Sequence, residues 1–159
     1  MINTGRFFAK RQEGVVVFIL GMRIHNVWNV LKWVRLYKVI SSLLNELEHS
    51  DDLGYLGSKQ STSFREPLII QYWNSLDQLH AFAKSPKHTH IKAWREFNQL
   101  VGDSEDIGIW HETYVVSGNS HENIYINMPF TGLGQFTPLQ LTKGVYANFR
   151  DRLEQANRD

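Results

Sequence analysis

The sequence predicts an α+β fold of the ferredoxin-like kind, a β-α-β-β-α-β unit followed by one further strand. Three observations carry this. Two β-branched apolar runs, "GVVVFILGMRI" at 14–24 and "EPLIIQYW" at 66–73, have the composition of strands. Between them Leu36, Ile40, Leu43, Leu44 and Leu47 recur at helical spacing. After residue 73 a second helical pattern leads into a third strand-like run, "DIGIWHETYVV" at 106–116.

Taken in order, the first strand is 14–24, which ends in charge. "HNVWNVLKWV" then reads either as an extra stretch of helix or as an aromatic-rich loop before the helix at 36–48. "LGYLGSKQSTSF", 53–64, alternates weakly and contains Gly and Ser, so it suits an edge strand. The run 66–73 starts beside a proline. Ser75 and Gln78 then form a capping box for a helix carrying Leu79, Phe82 and Ala83. That helix breaks near Pro86 and resumes as "HIKAWREFNQLVG", where Ile91, Trp94, Phe97 and Val101 share one side and Gly102 is the stop. Strand 106–116 follows, and "NIYINM" at 123–128 is a short fifth strand. Residues 130–144 read as loop, and "VYANFRDRLEQ" forms a short last helix through Val145, Phe149 and Leu153.

The 159 residues suffice for a single domain spanning 1–159, with a core of about 14–128 and a C-terminal loop and short helix over 130–159. With 17 basic and 16 acidic side chains and no long run of one sign, nothing steers the chain to nucleic acid or an anionic membrane. No cysteine is present, so disulfides, thiolate metal sites and a cysteine nucleophile are excluded, and the cytoplasm is the expected compartment. The longest apolar run, "VVVFILGM", is far short of the ~20 residues that span a bilayer. Charge precedes it in "MINTGRFFAKRQEG", but no small-x-small cleavage site follows, so it reads as a buried strand rather than a signal peptide.

Right-handed crossovers put both helices on one face of the sheet. The other face would be polar if it met water. Yet both alternating sets of the first strand are apolar: Val15, Val17 and Ile19, and also Val16, Phe18 and Leu20. An uncovered apolar face needs a partner, most simply a second copy, so a homodimer enclosing a small-molecule cavity is expected.

His111 is the polar residue of note. Alternation places it with Ile107, Ile109, Thr113 and Val115, and places Glu112 on the other face. An imidazole there is either a hydrogen-bonded core group or a ligand or proton-transfer group facing a cavity. Arg23, on the set of Val15, Val17 and Ile19, and Gln71, between Ile69 and Trp73, are further lone polar groups on apolar faces. Arg23 reads equally as a strand-end charge reaching water. His88 and His90 stand two apart, where a helix cannot aim both at one ion; His25 and His80 lack partners at ligand spacing. No H-E-x-x-H, P-loop, dinucleotide fingerprint or nucleophile elbow occurs, and "GLGQF" at 132–136 is too short to cradle phosphate.

The blocks "FILGMRI", "LKW", "GYLG", "PLIIQYW.S", "LHAFA", "H..AWREFN", "GIWHETYVV" and "E.IYINMP.TGLG" resemble a bacterial family labelled monooxygenase-like within the dimeric α/β-barrel superfamily, over about residues 14–135. A fainter similarity links "WHETYVV" and "IYINMP.TG" to the C-terminal part of the haem-containing aldoxime dehydratases. That resemblance implies haem as cofactor and His111 as the axial metal ligand and a catalytic residue; if haem binds, Arg23 is the expected second cofactor-binding and catalytic group, at a propionate or a distal ligand. The distal histidine of that family falls on a block where this chain has Met128 and Pro129, so haem binding carries over better than dehydratase chemistry. The expected function is therefore a haem-binding dimer, uncertain as an enzyme, acting on a small oxygen- or nitrogen-containing molecule. The alternatives are a cofactor-independent monooxygenase with His111 as general base, or a non-catalytic ligand-binding dimer.

Overall fold

The computed structural model describes residues 2–10, 13–50, 53–61, 63–84, 90–102, 105–118 and 120–156. Its centre is strand β2 (Val15–Ile24), preceded by a strand the sequence did not announce, β1 (Asn3–Ala9). Helix α1 (Val30–Glu48), strands β3 (Tyr55–Ser61) and β4 (Leu68–Trp73), helices α2 (Leu76–Lys84) and α3 (His90–Val101), and strand β5 (Ile107–Val116) complete the unit. The four strands form one antiparallel sheet in the order β3-β4-β2-β5, the ferredoxin-like arrangement expected. Beyond it come β6 (Tyr125–Met128), β7 (Leu139–Leu141) and α4 (Phe149–Ala156), with single 3-10 turns at Gly132–Gln135 and Gly144–Tyr146.

Helix α1 begins at Val30, so "HNVWNVLKWV" resolves into a short loop and the first turn of helix. The reason lies in Asp106, just before β5. Its carboxylate accepts from Asn26 Nδ2 (2.9 Å), Asn29 Nδ2 (3.0 Å) and Lys32 Nζ (3.3 Å), which places a negative charge at the positive end of the helix. On the buried side Leu36, Val39, Ile40, Leu44 and Leu47 face the sheet. At α2 half of the capping box is present: the Gln78 amide donates to Ser75 Oγ at 3.2 Å, while Gln78 Oε1 accepts from that hydroxyl at 3.1 Å rather than from the Ser75 amide. The expected break near Pro86 lies outside the described residues.

The two faces of the sheet are fixed by register. Val16, Phe18, Leu20 and Met22 of β2 join Ile69 and Trp73 of β4 and the helices in the main core. Trp73 is fully buried, with the rings of Tyr55 and Phe82 at 5.3 and 5.5 Å. Its indole donates to Gln71 Oε1 at 3.1 Å. Gln71 is thus a structural partner that satisfies a buried N–H.

The opposite face is not simply left for another molecule. A second, three-stranded antiparallel sheet, β6-β1-β7, is built from the terminal segments. A small core of Ala9, Val15 and Leu133, with Val17, Leu56, Tyr72, Val116, Tyr125 and Leu139 around it, joins the two sheets. Packing therefore extends beyond 14–128 at both ends, and the stretch read as loop over 130–144 contains β7 and the start of the second 3-10 turn. The rest of this face stays open. Ile19, Leu68 and Ile70 are half-buried there, and Trp110 and Tyr114 are 45% and 50% exposed. Trp110 lies directly over Gly21, where a Cβ would sit 2.2 Å from the indole.

Replacing Trp73 by Ala is expected to cost about 3–5 kcal/mol, because it empties the centre of the core and orphans Gln71. Urea denaturation of the variant checks this.

Candidate functional site

β2 and β5 pair residue for residue, from Val15 with Val116 to Ile24 with Ile107. His111 stands opposite Leu20 and so lies on the helix-facing side of the sheet. It does share that side with Ile107 and Ile109, as alternation requires, and both of those pack in the main core. His111 itself is exposed, because β5 emerges from the helical cover along its second half. Its ring centroid is 5.6 Å from that of Phe18. No hydrogen bond to its nitrogens is made by the described residues, so it is not the satisfied core histidine of the simpler reading.

Around it the sheet is apolar and incompletely covered. Phe18 and Leu20 are half-buried, although Val16 and Met22, two residues further along on the same side, are buried. Among the described residues no three His, Cys, Asp or Glu side chains converge on a metal position. The donor set thus suits a group that brings its own equatorial ligands and needs one imidazole and flat apolar walls, which is what haem requires. His88 and His90 lie outside the residues whose side chains are described.

Arg23 is elsewhere. It pairs with Gly108 in register and points to the opposite face from His111. Its guanidinium is ion-paired with Glu66, and both groups are half exposed at a shallow cleft of about 340 Å³ shared with Trp110 and Leu68. The sheet lies between Arg23 and His111, so the expected pair does not form one site. "YINMP" is also displaced from His111: Met128 is exposed on β6, which belongs to the three-stranded sheet on the other side.

That other side holds a cavity that sequence reasoning missed. It has about 350 Å³ and lies between the two sheets, with Val15, Val17 and Ile70 as its floor and Lys59, Tyr72 and Tyr125 among its walls. Burial pushes the hydroxyls of Tyr72 and Tyr125 above their ordinary 10.0. Tyr125 Oη accepts from the Gly134 amide at 2.8 Å. Asn123 clamps β1, accepting from the Ala9 amide at 2.6 Å and donating to its carbonyl at 3.1 Å. Glu122 holds the buried Arg152, whose Nη1 also donates to the carbonyls of Tyr146 and Ala147 at 3.0 and 3.2 Å. "TGLG" forms one side of this open cavity, because Gly132, at φ +56, brings backbone close under the Tyr72 hydroxyl. Its glycines serve this approach and no phosphate. The one signal in the sequence was alternation, which puts Lys59, Ile70 and Tyr72 on one face once β3 and β4 are paired.

A family model described as monooxygenase af470-like matches residues 15–133. The chain belongs to that family. A curated relative, the monooxygenase af470 of Aspergillus fumigatus, is 26% identical over 122 residues, which is 71% of this chain. The match takes in 42% of the relative, so the chain spans less than half its length. Among solved structures, an aldoxime dehydratase superposes with a TM-score of 0.68 at 17% identity, over 86% of this chain and 42% of that one. A second aldoxime dehydratase, in complex with butyraldoxime, gives 0.64 at 18% identity, over 85% of this chain and 41% of that one. At such identities the likeness establishes the shared α+β fold alone. No helix among the described residues is long and apolar enough to cross a membrane.

The buried tyrosines set an alkaline limit on stability. Their folded pKa values are raised, so the unfolded chain loses these protons first, and stability is full below about pH 10 and falls as pH rises through the folded values. Thermal denaturation followed from pH 8 to 11 is expected to show that decline, and Tyr72→Phe is expected to reduce it.

Proposed function

We propose that this monooxygenase-like protein binds haem on the helix-facing side of the sheet, with His111 as axial ligand, and acts on a small oxygen- or nitrogen-containing organic molecule. The observation that carries the reading is the His111 imidazole, exposed on the helix-facing side beside the half-buried Phe18 and Leu20, with no hydrogen bond from described residues to either nitrogen. The fold shared with aldoxime dehydratases supports it, because an oxime is such a molecule. When bound, haem supplies an iron that combines Lewis acidity with redox chemistry. What the chain supplies is one neutral nitrogen donor, the Phe18 ring beside it, and apolar strand residues that exclude water. Arg23 has no part in this site; its place behind the sheet and its pairing with Glu66 remove it. With no cysteine, the chain needs no oxidising compartment, which suits a cytoplasmic setting.

Purified protein incubated with haem is expected to show a Soret band, and His111→Ala is expected to abolish or shift it without changing the denaturation midpoint. No band in the parent protein, or an unchanged spectrum in the variant, sinks the haem reading. Aerobic oxidation of a hydroxy-aromatic without haem would then favour a cofactor-independent monooxygenase.

We further infer that the uncovered part of the opposite face pairs with a second copy. Ile19, Leu68 and Ile70 are flanked there by Trp110 and Tyr114, an apolar patch interrupted by Glu112 and one that water does not favour. Light scattering is expected to give the mass of a dimer for the parent chain and of a monomer for Trp110→Glu.

A further inference from the structure

The cavity between the two sheets is left unused by the haem reading; His121 and Thr131 also line it, and five further polar groups fall into two sets. Asn123, Glu122 and Tyr125 are committed to the fold through Ala9, Arg152 and Gly134. Lys59 and Tyr72 are not. Both side chains line the cavity from adjacent strands, Lys59 opposite Ile70 and Tyr72 opposite Gly57. Among the described residues no carboxylate reaches the Lys59 ammonium and no acceptor meets the Tyr72 hydroxyl. The carboxylate in the same row of this face is Glu112, on the far edge strand. Three strand spacings put it about 14 Å away, and it accepts from Tyr114 Oη at 2.7 Å.

A cation and a neutral hydroxyl donor beside an apolar floor recognise one kind of ligand: an anionic oxygen group on a small apolar body. We propose that this cavity is a binding site for a small organic carboxylate, held by the Lys59 ammonium and the Tyr72 hydroxyl with its apolar part against Val15, Val17 and Ile70. The volume of about 350 Å³ is near the lower end for ligand pockets and limits the body to roughly the size of one aromatic ring. Lys59 is exposed, so its head can reach a ligand at the mouth of the cavity. This site goes beyond the haem reading and depends on neither His111 nor iron.

The test uses phenylacetate as probe and phenylacetamide as its neutral isostere, each titrated into the whole chain and followed by amide NMR shifts. Phenylacetate is expected to shift amides of β3 and β4 around Lys59 and Ile70, and to bind about tenfold more tightly than the amide. Lys59→Met is expected to weaken phenylacetate about tenfold and phenylacetamide much less, and Tyr72→Phe to weaken both, phenylacetate the more. Lys59 is exposed, and Tyr72→Phe keeps the ring 5.8 Å from Phe136, so both variants retain the fold. His111→Ala is expected to leave both affinities untouched, which separates this result from the fate of the haem reading. Absent phenylacetate binding, equal affinity for acid and amide, or indifference to both substitutions overturns the proposal. So does a Lys59→Met variant whose mass changes while its phenylacetate affinity does not, since Lys59 would then be an interface group.

Discussion

Ten consecutive antiparallel pairs between β2 and β5 govern what the rest of the molecule can do. Side chains alternate along each strand, so this unbroken register assigns every residue of both strands to one face. A slip of one position would carry His111 to the open side and Trp110 into the helices. Because the register holds from end to end, Leu20 and His111 share a face and Ile19 and Glu112 share the other. Trp73 locks the neighbouring strand in the same way: its indole bonds Gln71 on the same side, and its ring is walled by Tyr55 and Phe82.

With the faces fixed, each is covered differently. Helices α1, α2 and α3 bury the ends of the β2 row at Val16 and Met22 and leave its middle, Phe18 and Leu20, partly accessible beside His111. The other face is covered at one end by the chain's own terminal segments. Arg152 is central there. Its guanidinium is nearly buried, yet it is neutralised by Glu122 and bonded to two carbonyls, which is the condition under which a buried charge is tolerated. That anchor ties α4 to the segment before β6 and holds the wall of the inter-sheet cavity in place.

Much of this was readable from residues in sequence. β2, β4 and β5 announce themselves by β-branched apolar runs, and the capping box at Ser75 fixes the start of α2. β1 did not, because "NTGRFFA" contains Gly5 at φ +121, is exposed at Thr4, Gly5 and Arg6, and is a strand only through its pairing with β6 and β7. The start of α1 was ambiguous because Asp106, its partner, lies 74 residues beyond Lys32. His111 could be grouped with Ile107 and Ile109 by alternation. Which side that group faced was hidden, since both sets of β2 are apolar and either would serve as core. Arg23 was set on the right row, with Val15, Val17 and Ile19, but that this row faces away from His111 was hidden for the same reason. The pairing of Lys59 with Tyr72 in one cavity depends on strand register and on a wall from residues 121–133, which no local pattern encodes.

The two outer edges of the large sheet are not alike. β3 is seven residues long, carries an irregularity between Tyr55 and Gly57, and has Lys59 in its middle, three features that discourage another strand from adding to it. β5 is ten residues long with unbroken register, and among the described residues only β2 pairs with it. Its outward row of amides and carbonyls is a straight template with a single acidic side chain. Any lengthening of this sheet, by a tandem repeat in a longer chain or by misassembly on heating, therefore proceeds from one side. The molecule has a growing end and a finished end.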